Sequence, residues 1–326
     1  MTRSALREWK CLAAALAALL AAPAWPQAWP AKPVRWIVPF PAGGGVDLTA
    51  RTLAARIGPR LGQQFVLENR GGANGNIGAE LAAKSAPDGY TLLQATTGII
   101  TINPHIYGRP TFDPMKELMP VAHAVESINV LVVHPALPAR SVKELIALAK
   151  ARPGQLNFAS SGAGGSDHVA AELFKSMAGV QLAHVPYKGG APAIIDVVAG
   201  QVETMFATIA VAIGPLKGGR LRPLGVTSGK RFEPMPEVPT IAEAGLPGYE
   251  SSFWFSTFAP AGTPREIVTR LNGEIRAALE VPEIRQRLLE SGLVAAGGTV
   301  DEFTAFVQAE ARKWSKLVKE RGLKVD

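Results

Sequence analysis

Strand-like apolar runs alternate with helix-like stretches along most of this 326-residue chain, and the alternation restarts once. Residues 34–38, 64–67 and 90–94 read as strands. Residues 48–61, with Leu48, Leu53, Ile57 and Leu61 on one side, and 77–85 read as the helices between them. A β-α-β-α-β order implies a parallel sheet covered by helices. The second series has strands at 129–133, 156–160, 183–186, 204–207 and 222–227. Its helices are expected at 141–151, 169–178, 191–199 and 212–217. Ser141 followed by Glu144 has the spacing of a capping box. A last strand at 253–258 precedes helices at 264–279, 282–290 and 300–321. The expected fold class is α/β, with two lobes, each a mostly parallel sheet flanked by helices. The chain should cross near 127–133 and return near 251–258. Lobe 1 is then 29–127 plus 251–326, and lobe 2 is 128–250, with a cleft between them.

Residues 1–28 stand apart from this pattern. Arg3, Arg7 and Lys10 precede an apolar Ala/Leu-rich run, and small residues and prolines follow. This is the pattern of a cleaved secretory signal peptide, with cleavage expected near Ala24 or Ala28 and a periplasmic destination. The run is short for a membrane span. The only cysteine, Cys11, lies inside it. The remaining chain therefore has no disulfide, thiol nucleophile or cysteine metal site. Loss of the segment removes three of the 34 basic residues and one of the 27 acidic ones, so the net charge falls from +7 to +5. A mild positive field favours anionic ligands. The basic residues are dispersed, which speaks against nucleic acid. Their densest run (Arg312, Lys313, Lys316, Lys319, Arg321 and Lys324) suits a solvated face of the last helix.

Two glycine-rich segments sit at strand-to-helix junctions. The first is Pro39-Phe40-Pro41-Ala42-Gly43-Gly44-Gly45-Val46-Asp47. Successive glycines let the backbone approach a ligand closely. The helix N-terminus behind them presents free N–H groups to a carboxylate or phosphate. Asp47 is expected to be that helix's N-cap. The second runs from Ala159 through Ser160, Ser161, Gly162, Ala163, Gly164, Gly165, Ser166 and Asp167 to His168. Its hydroxyls and N–H groups would meet an anion from the other lobe. Thr96 and Thr97 form a third candidate, directly after the strand at 90–94. All three lie at carboxyl ends of strands, where open α/β sheets bind ligands.

Rival chemistries lack their motifs. There is no P-loop and no G-x-G-x-x-G after Val38. Ser160 and Ser161 are not in a G-x-S-x-G elbow. The histidines at 105, 123, 134, 168 and 184 show no zinc-ligand spacing. No catalytic residue, metal or cofactor is expected. His168 either reaches the ligand or packs beside the loop, and His134 and His184 are expected to be structural. Trp36, Phe253, Trp254 and Phe255 are expected in core or hinge packing.

Several segments resemble the solute-binding receptors of tripartite tricarboxylate transporters, the Bug family of the TctC type. They are VRWIVPFPAGGGVD at 34–47, ENRGGANGNIGAE at 68–80 and APDGYTL at 86–92. Others are SVKELIALAKARPGQLN at 141–157, HVPYKGG at 184–190, VPTIAEAGLPG at 238–248 and APAGTP at 259–264. The resemblance implies a two-lobed type II periplasmic binding protein. It would close on a small carboxylate as a monomer and serve integral membrane subunits or a sensor ectodomain. Carried over residue by residue, it points to Phe40, Ala42, Gly43, Gly44, Gly45, Asp47, Thr96 and Thr97 in lobe 1. In lobe 2 it points to Ser160, Ser161, Gly162, Gly164, Ser166 and His168. Many members carry Asp or Asn after the position of Phe206, whereas this chain has Ala207 and then Thr208. That departure implies a ligand without an amine.

Overall fold

The computed structural model describes residues 29–107 and 111–321. The signal-peptide expectation falls on residues outside this range, as does the end of the basic run at Lys324. From Lys32 onward the chain is one compact unit. Among the described residues, the strands form a six-stranded and a five-stranded sheet, one in each of two lobes.

The first lobe opens as the alternation predicts. β1 (Val34–Val38) leads into α1 (Gly45–Leu61), β2 (Phe65–Asn69), α2 (Asn76–Ala83) and β3 (Thr91–Thr96). β1 pairs in parallel with β2 and β3. A π-helical turn, Gly98–Ile102, follows β3. β4 (Leu118–Ser127) then carries the chain to the second lobe.

The second lobe begins with β5 (Asn129–Val133) and α3 (Val142–Ala151). Ser141 caps α3 by accepting from Glu144 N–H. Glu144 accepts from Arg140 N–H rather than Ser141 N–H, so only half of the expected capping box forms. The reciprocal box occurs instead at Thr240 and Glu243. Next come β6 (Asn157–Ser160), α4 (Ser166–Ala178), β7 (Ala183–Pro186) and α5 (Gly190–Val198). They are followed by β8 (Thr204–Thr208), α6 (Ile209–Lys217) and β9 (Arg222–Val226). β10 (Phe253–Pro260) returns to the first sheet. α7 (Arg265–Leu279), α8 (Pro282–Leu289), β11 (Leu293–Ala295) and α9 (Val300–Arg321) complete the chain.

Both sheets are mixed rather than mostly parallel. β10 runs antiparallel to β3 and β4, and β5 runs antiparallel to β8 and β9. The cause is the double crossing: β4 leaves the first sheet beside the returning β10, with Ser127 opposite Phe253. At this crossing Ile128 N–H donates to Gly292 O, Thr227 N–H and Oγ1 both donate to Asn129 O, and Thr227 Oγ1 accepts from Asn129 N–H. The second sheet's core also takes in Trp314 and Val318 from α9, so the last helix braces both lobes. Trp36 and Trp254 are buried as expected. No helix among the described residues is long and apolar enough to cross a membrane.

Candidate functional site

The helix N-termini explain where a ligand can sit. α1 begins at Gly45 with Gly44 as its N-cap, three residues before the apolar periodicity begins. Gly44 and Gly45 supply no apolar signal, and a side chain at Gly45 would strike Phe255, 2.8 Å from the added Cβ. Asp47 is therefore not the N-cap. It lies in the first turn, where its buried carboxylate accepts from Gly43 N–H, Arg51 and Asn69. Burial alone would raise this carboxyl, but those donors outweigh it and hold it below the usual range. Asp47 thus shapes the first loop from behind.

One cavity is enclosed between the two glycine loops. It offers about 90 Å³ to the centres of water molecules, room for several waters or a small organic molecule. Phe40, Ala42, Gly44 and Gly45 line it from the first loop, and Thr96 and Thr97 from the end of β3. Ser161, Ser166 and Thr208 line it from the second lobe. These are all residues the sequence placed in the site.

The other candidates lie behind the wall. Gly43 and Asp47 brace the first loop. Ser160 is buried, with Oγ 2.6 Å from His184 Nε2, and accepts from Gly162 N–H. His168 packs beside the loop: its Nδ1 accepts from Gly164 N–H, and its ring lies against His184 and Phe158. Gly162 borders a neighbouring cavity that shares Phe40, Asn74 and Ser161 with the first. Gly164 meets the opposite lobe, where an added Cβ would fall 2.8 Å from Asn103 Oδ1 and Ile106 Cδ1. Next to it, Tyr107 Oη donates to Ala163 O. Ala207 is buried in the second lobe's core and is not among the residues lining the cavity, whereas its neighbours Met205 and Thr208 are.

Other lining residues escaped the sequence reading. Asn74, Met205 and Val211 come from separate segments, and Phe253 and Phe255 are cavity wall as well as core. Gly189, Gly190, Ala191 and Pro192 bring the N-terminus of α5 to the site. The signal for these was present in a third glycine pair at a strand-to-helix junction.

Four helix N-termini thus meet at the cavity: α1 at Gly44–Gly45, α4 at Gly165–Ser166, α5 at Gly189–Gly190 and α6 at Thr208. Each brings the positive end of its dipole and first-turn N–H groups with no partner inside the helix. Among the described residues, no Lys, Arg or His lines the cavity. Its one ionisable lining residue is Asp167. Burial pushes that carboxyl up to about 6, against hydrogen bonds from Ser161 and His168 that pull it down. Among the described residues, no group of three or more His, Cys, Asp or Glu is placed to hold a metal ion.

A field of dipoles without a cationic side chain suits a small anion held by backbone groups. Residues 49–323 match the model of the tripartite tricarboxylate transporter family receptor. The chain belongs to this family. A relative, Protein BugT of Bordetella pertussis, is 36% identical over 307 residues, covering 94% of each chain. The solved structure of Rpa4515 from R. palustris with adipate is 41% identical with a TM-score of 0.88, covering 91% of this receptor and 99% of that chain. MatC from Rhodopseudomonas palustris with bound malate is 31% identical with a TM-score of 0.84, covering 89% and 100%. The family consists of solute-binding receptors, and carboxylates occupy both of these relatives.

Proposed function

We propose that this receptor captures a small di- or tricarboxylate, or a related organic acid, by closing two lobes around it. The lobes are 29–127 with 251–326, and 128–250. The observation that carries this reading is the convergence of four helix N-termini on one cavity with no basic side chain. Such a site compensates a carboxylate with N–H groups, hydroxyls and water. Gly44, Gly45, Thr96, Thr97, Ser161, Ser166 and Thr208 are placed to contact the ligand. Closure is favoured because the ligand bridges both lobes and so binds the closed form more tightly.

The protein acts without catalysis, as an exported periplasmic monomer whose leader is cleaved near Ala24 or Ala28. It delivers its ligand to integral membrane subunits of a tripartite transporter. The test is a thermal-shift series on ligand-stripped mature protein with adipate, malate, tricarboxylates, aromatic acids and amino acids. A ligand at 100 times its dissociation constant adds about 2.7 kcal/mol, which raises the midpoint visibly. Folded protein that shifts with no carboxylate would overturn the assignment.

A further inference from the structure

The cavity holds a carboxylate of its own. Asp167 is 2% exposed and lines the wall beside Ser161 and Ser166. Its Oδ1 accepts from Ser161 Oγ at 2.8 Å and His168 N–H at 2.9 Å, while its Oδ2 accepts only from Ser161 N–H at 2.5 Å. A carboxylate has about four lone-pair sites, so Oδ2 is the oxygen with room for a proton. Gly165 keeps this brace tight, since an added Cβ would lie 2.6 Å from both Asp167 Oδ1 and Ser161 Oγ.

Among the described residues, no cationic side chain lines the cavity with it. The charged and titratable groups nearest in the fold are His168, Glu172 and Lys175 on α4. Beyond them are His184, Tyr187, Lys188 and Asp196 around β7 and α5, and Asp47 and Arg51 on α1. The leading influences on the Asp167 equilibrium are burial, which raises it, and hydrogen bonds from Ser161 and from the His168 N–H, which lower it. Two carboxylates held together in one cavity without a cation between them cannot both stay ionised at low cost.

We propose that Asp167 takes up a proton when the cavity takes an anion, and that Oδ2–H then faces the ligand as a hydrogen-bond donor. This rests on the carboxylate reading above and makes Asp167 a determinant of ligand class. A fully anionic acid binds with proton uptake and grows weaker as pH rises. A zwitterion placing its ammonium at Asp167 would bind the ionised form and show the opposite slope.

Calorimetry at pH 7 in buffers of differing ionisation heat counts the protons. The probes are adipate and malate, whose carboxyls are ionised there. The expected result is uptake of most of one proton per ligand. Affinity should weaken by up to about tenfold per pH unit as pH rises between the free and bound equilibria of Asp167. Asp167→Asn should abolish the uptake. Should that variant misfold, the pH titration of ¹³C-labelled aspartate carboxyls in the wild type, with and without adipate, gives the same readout. Binding with no proton uptake, or with proton release, overturns the proposal and leaves the carboxylate reading standing. Binding of neither probe nor any other carboxylate in the thermal series overturns both.

Discussion

The two glycine loops look alike in sequence and differ in what their aspartates do. Gly43-Gly44-Gly45-Val46-Asp47 and Gly164-Gly165-Ser166-Asp167 each enter a helix behind glycines. Counted from the N-cap, however, Asp47 is the third helical residue of α1 and Asp167 the second of α4. One position is about 100° of rotation around the helix. That turn puts Asp47 behind its loop among donors that hold it ionised, and Asp167 on the cavity wall with no cation. A single-residue offset thus decides whether an acid is scaffold or site.

The largest expected effect lies where the loops differ in what they touch. Gly164 has φ +82° and nests against Asn74, Asn103 and Ile106 of the other lobe, whereas Gly44 has ordinary φ and open space beside its missing Cβ. Gly164→Ala should destabilise the loop itself by roughly 1–2 kcal/mol through its left-handed backbone, and the added methyl, meeting Asn103 and Ile106, should oppose closure by about 1–3 kcal/mol more. Affinity for whichever acid raises the melting midpoint should then fall about 10- to 100-fold, while the ligand-free protein stays folded. Gly44→Ala should leave the melting midpoint of the free protein unchanged. A loss of stability in Gly164→Ala with unchanged ligand affinity would show that Gly164 matters for its own loop rather than for lobe contact.

The aspartates come next. Asp47→Ala strands Gly43 N–H and Asn69 behind the first loop. It should destabilise the protein by about 2–3 kcal/mol, read as a lower urea midpoint at unchanged slope. Asp167→Asn should cost less at pH 7, because it also removes a charge that burial opposes. A larger loss for Asp167→Asn would contradict the division into scaffold and site.

Much of this was legible in the chain. Strands 34–38, 129–133 and 183–186 and the helix 300–321 match their reading residue for residue, because apolar runs there end at Pro39, His134-Pro135 and Tyr187 or begin after Gly297-Gly298-Thr299. β4 was not legible. Pro120, His123 and Glu126 interrupt its pattern, and its pairing with β10 is set by residues more than a hundred positions away. Helix starts were read late wherever glycine opens the helix, as at Gly45 and Gly190, and this hid the register difference between Asp47 and Asp167. Asn74, Met205 and Phe255 reach the cavity only through the fold.

Acid should separate the two loops further. His168 and His184 support the second loop, and burial lowers both to about 4; His123, stacked on Phe303 and Phe306, is lowered to about 4 for the same reason. A base depressed on folding contributes stability that is present above its unfolded value of about 6.5. That stability is lost as pH falls through 4. Asp167 has the opposite sign: raised on folding, its contribution is full below about 3.9 and lost as pH rises through 6. The histidines outnumber it, so net stability should fall from pH 6.5 to 4. Amide exchange at 160–168 should speed up before exchange at 39–47, which contains no histidine. Simultaneous loosening of both loops would mean that the histidines act on the whole fold instead.

The smallest effect isolates one bond in that support. Ser160 Oγ joins His184 Nε2 to Gly162 N–H, and Ser160→Ala removes this link without touching the cavity lining. The loss should be about 1 kcal/mol, with affinity at pH 7 for the acid that raises the melting midpoint reduced only a few-fold, because Ser161 and Asp167 still hold the loop through their own pair of hydrogen bonds. The variant should also flatten the acid response between pH 6.5 and 4, since protonating His184 then has one fewer bond to break. An affinity loss as large as that of Gly164→Ala would mean that Ser160 reaches the ligand after all. The boundary between loop support and ligand contact would then run one residue deeper in the second lobe than in the first.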